Sequence, residues 1–209
     1  MREVKLPPAS VYGVHPGIAM VQKWIADLPS KTGRSLEAWI ALVQKSGPPT
    51  EKERREWLKS KHQLGTNSAW WIAERAEGKG YEEDTPEAYL QAAEQYVREM
   101  FAGKKAALAP LYVDLLNLGL RLGKDVRASP GKTAVPLYRR HVFAQIKPST
   151  NTRLDLGLAL GNRKTPKRLI DTGGFKKKDR ITHRIEIAQP KDIDGEVERW
   201  LKAAYEADE

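Results

Sequence analysis

A chain of 209 residues without one cysteine is long enough to bury a sizeable core, and it excludes disulfides, thiolate metal sites and a cysteine nucleophile. Its 40% hydrophobic and 30% charged residues are ordinary for a globular protein. No apolar run reaches the length of a membrane-spanning helix, and MREVKLPPAS lacks the apolar centre of a secretory signal. A cytoplasmic location with no membrane partner is expected.

From Gly17 to about Phe101 the apolar residues recur at helical spacing. Ile18, Val21, Ile25 and Leu28 mark a first helix that Pro29 and Gly33 are expected to end. Ser35 is placed to cap a second, with Leu36, Trp39, Ile40 and Val43 on one stripe. After the breaker Gly47-Pro48-Pro49, Thr50 and Glu53 form the sequence of a capping box, and Trp57, Leu58 and Leu64 mark the core side of a third helix. A fourth starts at Thr66 or Asn67 and ends near Gly78. Trp70 and Trp71 are neighbours in it. Adjacent helical positions point about 100° apart, so one is expected in the core, while the other is a candidate for docking a protein partner.

The polar linker 79–84 leads to a helix opened by Thr85-Pro86-Glu87 and stopped at Gly103, and residues 108–122 read as another. Beyond Gly123 the period falls to 2. Val126 and Ala128 hint at a short strand. Residues 134–137 and 142–146 follow, and Leu154, Leu156, Leu158 and Leu160 alternate with Arg153, Asp155, Gly157 and Ala159. A last strand, 181–187, is expected to place Ile181, His183, Ile185 and Ile187 on one side, and Thr182, Arg184 and Glu186 on the other. This is the pattern of an antiparallel sheet with one buried face. The closing segment 192–207 is an amphipathic helix whose Ile193, Val197, Trp200, Leu201 and Tyr205 suit the leucine face. The fold class expected is therefore α+β. An all-helical domain, residues 1–79, precedes residues 80–209, in which about four antiparallel strands pack on helices.

The stretch 28-LPSKTGRSLEAWI-40, followed by 56-EWLKSKHQLGTNSAWWIAERA-76, resembles domain-of-unknown-function family 4287, whose pattern reads LPEKTGKSLEEWI and then WLKxxHGL. The strings 130-PGKTAVPLYRRHVFAQIKPSTNTRLDLGLAL-160, 181-ITHRIEI-187 and 199-RWLKAAYEA-207 resemble domain-of-unknown-function family 5655. The second often follows the first in bacterial proteins, so a bacterial-type chain is implied. Neither resemblance implies catalytic residues. Trp70-Trp71 and 176-KKK-178 depart from the usual pattern. A looser likeness to MmcQ/YjbR-like domains implies a double-winged, DNA-binding type of fold.

The chemistry-bearing residues are few. His15, His62, His141 and His183 make no metal-binding spacing, and 129-SPGKT-133 lacks the upstream glycine and following helix of a phosphate loop. Glu82, Glu83, Asp84 and Glu87 suit a helix N-terminus better than a metal. No enzyme activity, metal or cofactor is expected. His183, on the isoleucine face, is expected to be buried and hydrogen-bonded.

Charge is the stronger signal. Residues 1–102 balance, with 14 basic and 14 acidic side chains. Residues 103–184 hold 19 against 5, a surplus of 14, and residues 185–209 hold 3 against 8. Such a surplus points to DNA or another polyanion as partner. The candidate contacts are Arg139, Arg140, Lys147, Arg153, Arg163, Lys164, Lys167, Arg168 and Arg184, with 161-GNRKTPKRL-169 as a wing-like loop reaching phosphates. Against this, Asp155 and Glu186 are placed to pair with Arg184 and Arg153 across strands. The alternative is an anion or small-molecule pocket made by Tyr138, Lys147, Ser149, Thr150 and Arg153, with Gly157 and Gly161 leaving room above the sheet. In that reading the helical domain acts as an adaptor that docks a protein.

Overall fold

In the computed structural model, which describes residues 5–164 and 166–208, capping side chains and glycines set most of the helix ends of the helical half. The helix α1 (Gly17–Thr32) carries Pro29 inside its last turn and stops at Gly33, whose φ of 75° closes it in the left-handed conformation. The expectation that Pro29 shares in ending this helix is corrected: so near the C-terminus its missing N–H breaks only one late hydrogen bond, and the glycine does the ending. Ser35 caps α2 (Leu36–Ser46) by accepting from the Ala38 amide. Thr50 and Glu53 form a full capping box on α3 (Glu51–His62). The helix α4 (Thr66–Ala76) begins at Gly65, which has no side chain to cap it.

Two compact units result. One is Val14–Gln91. The other comprises the residues from Ala92 onward with the segment ending at Gly13, so the division falls within α5 (Pro86–Met100); the linker at 79–84 lies inside the first. In the helical unit Leu28, Trp39, Val43, Leu58, Ile72 and Ala73 are buried together, with Trp24 and Trp57 packed against them. Arg75 is fully buried among them. Its guanidinium donates to the carbonyls of Trp71 and Gly80 and is paired with Asp84. A buried cation with a counter-charge and further acceptors satisfies the main demand that burial makes of it.

The second unit contains a six-stranded, wholly antiparallel sheet in the order β1-β2-β3-β4-β6-β5. Its strands are β1 (Arg127–Ala128), β2 (Val135–Tyr138), β3 (Val142–Pro148), β4 (Leu154–Leu158), β5 (Ile170–Asp171) and β6 (His183–Ile187). The α+β class stands. The sheet has six strands against about four expected: the short edge strand β1 lies where Val126 and Ala128 hinted at one, and the short β5 was not foreseen. Register aligns Val135, Ile146, Leu156 and Ile185 on one face and Pro136, Gln145, Gly157 and Arg184 on the other. The first face is buried under α6 (Ala109–Leu120) and α8 (Gly195–Glu206), where Leu115, Leu116, Val197 and Leu201 lie at or near zero exposure. Tyr12 bridges to Ala128, and its hydroxyl lies 3.0 Å from that of Tyr112, tying the leading segment to this core.

Between β4 and β6 the chain makes an excursion that forms β5 and the single-turn α7 (Gly174–Lys177). It returns so that β6 begins only at His183. The expected strand is therefore two residues too long. Thr182 is buried, its hydroxyl accepting from the Leu160 amide and meeting His183 Nδ1, rather than projecting from the open face. Ile181 crosses to that open face instead and, with Gln145, fills the space over Gly157. A Cβ there would meet Ile181 Cγ2 at 2.8 Å and Gln145 Cγ at 2.9 Å. The room expected above Gly157 is thus occupied by side chains. Among the described residues no helix is long and apolar enough to cross a membrane.

Candidate nucleic-acid interface

On the open face, β4 and β6 place Asp155 opposite Glu186. Arg184 reaches Asp155 at 2.8 Å and Glu186 at 3.1 Å, and Arg153 reaches Glu186 at 2.9 Å. Arg153 Nε also approaches Asp155 Oδ1 at 3.0 Å, though at an angle that makes no hydrogen bond. Two cations and two carboxylates form a closed square, so the centre of the face is close to neutral. Such a cluster holds its own arginines and leaves little field for a polyanion.

Two further candidates are held inside the domain. Arg139 pairs with Asp125 at 2.9 Å and lies over the Tyr205 ring at 4.5 Å; this guanidinium, then the Tyr205 hydroxyl, holds the Asp125 carboxyl below the usual range. Arg168 pairs with Asp194 at 2.6 Å. The other five, Arg140, Lys147, Arg163, Lys164 and Lys167, are exposed, and among the described residues none reaches a carboxylate.

Three of these five belong to the loop 161–169, which is anchored at both ends. His183, buried as expected, makes one contact through Nε2 with the Arg163 carbonyl at 3.2 Å and another through Nδ1 with Thr182 Oγ1 at 2.8 Å. The assignment that satisfies every donor has Nε2–H donating to the carbonyl while the Thr182 hydroxyl donates to Nδ1. At the far end Arg168 grips Asp194. Lys164 and Lys167 thus stand out from a loop whose ends are pinned; Thr165 lies outside the described residues.

At the β3–β4 hairpin end of the sheet the cations converge. A depression of about 470 Å³ is lined by Lys104, Lys105, Lys132 and Lys147, with Thr133, Asn151 and one carboxylate, Glu99. The first two lysines come from the 3-10 helix Gly103–Leu108, where Lys105 Nζ donates to the Pro148 carbonyl at 3.2 Å. Lys132 lies 5.8 Å from the Tyr96 ring. Lys147 is the penultimate residue of β3. With four lysines and one carboxylate in its lining the hollow is net cationic, which suits an anion.

The family model for Domain of unknown function (DUF5655) matches residues 97–208. The chain belongs to the DUF5655 family. Ahead of it, residues 20–78 match Domain of unknown function (DUF4287), so both resemblances stand in the expected order. No curated protein and no solved structure matches the chain.

Within the DUF5655 domain the small-molecule pocket proposed from sequence does not assemble. Tyr138 lies at the opposite end of β3 from Lys147, paired with Val142. It lines a separate shallow hollow of about 510 Å³ with Pro136, Gln145, Arg180 and Ile181. Ser149 donates to Asp155 at 2.7 Å, Thr150 accepts from the Thr152 amide, and Arg153 faces Glu186. These groups are drawn into the turn and the charge square because both lie closer than any shared pocket. Lys104 and Lys105 were missed because they sit in the helical lead-in, which has no strand period to draw attention to it; the adjacent pair after Gly103 was the available signal. In the DUF4287 domain, Trp70 is 44% exposed under the Arg55 guanidinium at 5.4 Å. Trp71 is half-buried, edge-on to Trp24 at 4.8 Å.

Proposed function

We propose that the DUF5655 domain binds DNA without covalent chemistry. In this reading the lysine hollow at the β3–β4 end grips backbone phosphate, and Arg140, Arg163, Lys164 and Lys167 supply further contacts. The observation that carries the proposal is the convergence of Lys104, Lys105, Lys132 and Lys147 on one depression that contains a single carboxylate. Once Arg139, Arg153, Arg168 and Arg184 are discounted as ion-paired, the cations left exposed are lysine-rich and loop-borne. Such groups are suited to phosphate rather than to base edges. Binding of this kind releases counterions, so it weakens steeply with salt and discriminates little between sequences.

Fluorescence anisotropy with labelled duplex and single-stranded DNA at two salt concentrations tests it. The proposal expects binding at low salt that falls away as salt rises. Absence of binding at low salt, or binding that ignores salt, removes it.

A further inference from the structure

The DUF4287 domain contains a second cationic hollow, remote in sequence from the first. It has a volume of about 690 Å³ and is lined by Lys31, Arg34, Lys61, His62, Gln63 and Gly65, over the buried face of Trp39. Both stretches that carry the resemblance to family 4287 reach it: Lys31 to Trp39 from 28–40, and Lys61 to Ser68 from 56–76. The fold brings them together through two left-handed turns. Gly33 ends α1 at φ 75°, and Gln63 ends α3 at φ 54°.

The charges in this hollow are held in place. Arg34 lies 5.5 Å from the Trp39 ring and Lys61 5.7 Å from the Trp57 ring, so both long side chains rest on indoles rather than ranging through solvent. The His62 ring stands edge-on to both tryptophans at 5.3 and 4.4 Å. Burial, then Lys61 and Arg34, push its pKa below the ordinary value. Lys31 is paired with Asp27, an exposed contact that holds it weakly. Among the described residues no carboxylate lines the hollow. Gly65 leaves the first amides of the eleven-residue α4 without a side-chain cap on the same side.

We propose that this hollow is a binding site for a small phosphate-bearing anion. Arg34 and Lys61 would contact the phosphoryl oxygens, Gln63 would donate through its amide, and the first turn of α4 would face the charge. Guanidinium, ammonium and amide donors in a lining without a carboxylate among the described residues suit a tetrahedral dianion. The indole faces already carry Arg34 and Lys61, so recognition is of the phosphate and not of an attached ring. Gln63 occupies a left-handed position where the family pattern reads glycine, which trades an unstrained turn for a donor at the rim. This site is independent of the DNA reading, since none of its residues belongs to the DUF5655 domain.

The full-length protein is titrated with inorganic phosphate and, separately, with a mononucleotide, while the imidazole resonance of His62 is followed by NMR and assigned by its loss in His62→Gln. A bound dianion offsets the field of Lys61 and Arg34, so the His62 pKa rises. The expected result is a saturable His62 shift and a raised pKa, both lost in Arg34→Ala/Lys61→Ala. The replaced side chains are exposed; should the double variant lose its fold by circular dichroism, Lys61→Gln alone is expected to weaken the response. A shift with the mononucleotide only still supports the site, and its ligand is then the larger phosphate ester. A His62 resonance unmoved by either ligand overturns the proposal. So does a double variant that weakens duplex DNA binding while small phosphates leave His62 unmoved, because the hollow then serves nucleic acid.

Discussion

Asp208, one residue from the end of the chain, is 3% exposed. It accepts from the backbone amides of Arg140 at 3.1 Å and His141 at 2.8 Å, meets the His141 ring at 3.1 Å, and pairs with Arg180. Asp208→Ala leaves those donors without an acceptor and is expected to destabilise the protein by about 1–3 kcal/mol; a urea melt indistinguishable from that of the parent would refute the clasp. Arg75→Ala is expected to cost more, about 3–5 kcal/mol, because Asp84 loses its buried partner. Arg75→Lys should rescue it only partly, since an ammonium lacks the forked donors. Gln63→Gly works in the opposite direction. Relief of a left-handed non-glycine residue is expected to stabilise the fold by up to about 1 kcal/mol, read as a higher melting temperature, while weakening phosphate binding. Some of this was legible in the chain: alternation put His183 on the buried face, whereas the burial of Arg75 was not anticipated. The partner of Asp208 was not legible, because a carboxylate at the end of an amphipathic helix looks like a solvated charge until the hairpin 67 residues earlier is known to meet it.

At the scale of elements, the caps were readable because each is local. Ser35, Thr50 with Glu53, and Gly33 all act within four residues of themselves. The leucine alternation of β4 was equally local. What escaped was the excursion from 159 to 182, where β5 pairs with β6 and Thr182 bonds to Leu158 and Leu160, contacts that no period in the sequence announces. Gly157 shows the difference. Sequence suggests an opening, while the fold uses the missing Cβ to seat Ile181 and Gln145. Gly157→Ala is therefore expected to destabilise by about 1–3 kcal/mol through overpacking; no change in the thermal melt would mean the site tolerates the methyl. The N-terminus of α8 supplies a pH test. The Val197 amide, then Arg168, holds the Asp194 carboxyl below its ordinary value of 3.8. A depressed folded-state pKa stabilises the fold above the unfolded value, and that contribution is lost as pH falls below about 3.8 through the folded value. Asp194→Asn is expected to flatten the acid limb of a stability–pH curve and leave the alkaline limb unchanged.

For the molecule as a whole, the surplus of 14 charges between residues 103 and 184 overstated the field available to a ligand. The acidic closing segment returns part of it, since Glu186, Asp194, Glu196 and Asp208 each pair with an arginine. Composition could report the surplus but not its distribution. The arginines are largely committed inside the DUF5655 domain, and what is left to a partner is mostly lysine at its ends and loops. The central claim, that the lysine hollow grips DNA phosphate, is tested most directly by how the affinity for a duplex depends on salt. With two phosphate contacts removed in Lys104→Ala/Lys147→Ala, the slope of log affinity against log salt should fall in magnitude by about 2, with weaker binding at low salt. A double variant with the parent's slope and affinity would contradict the account.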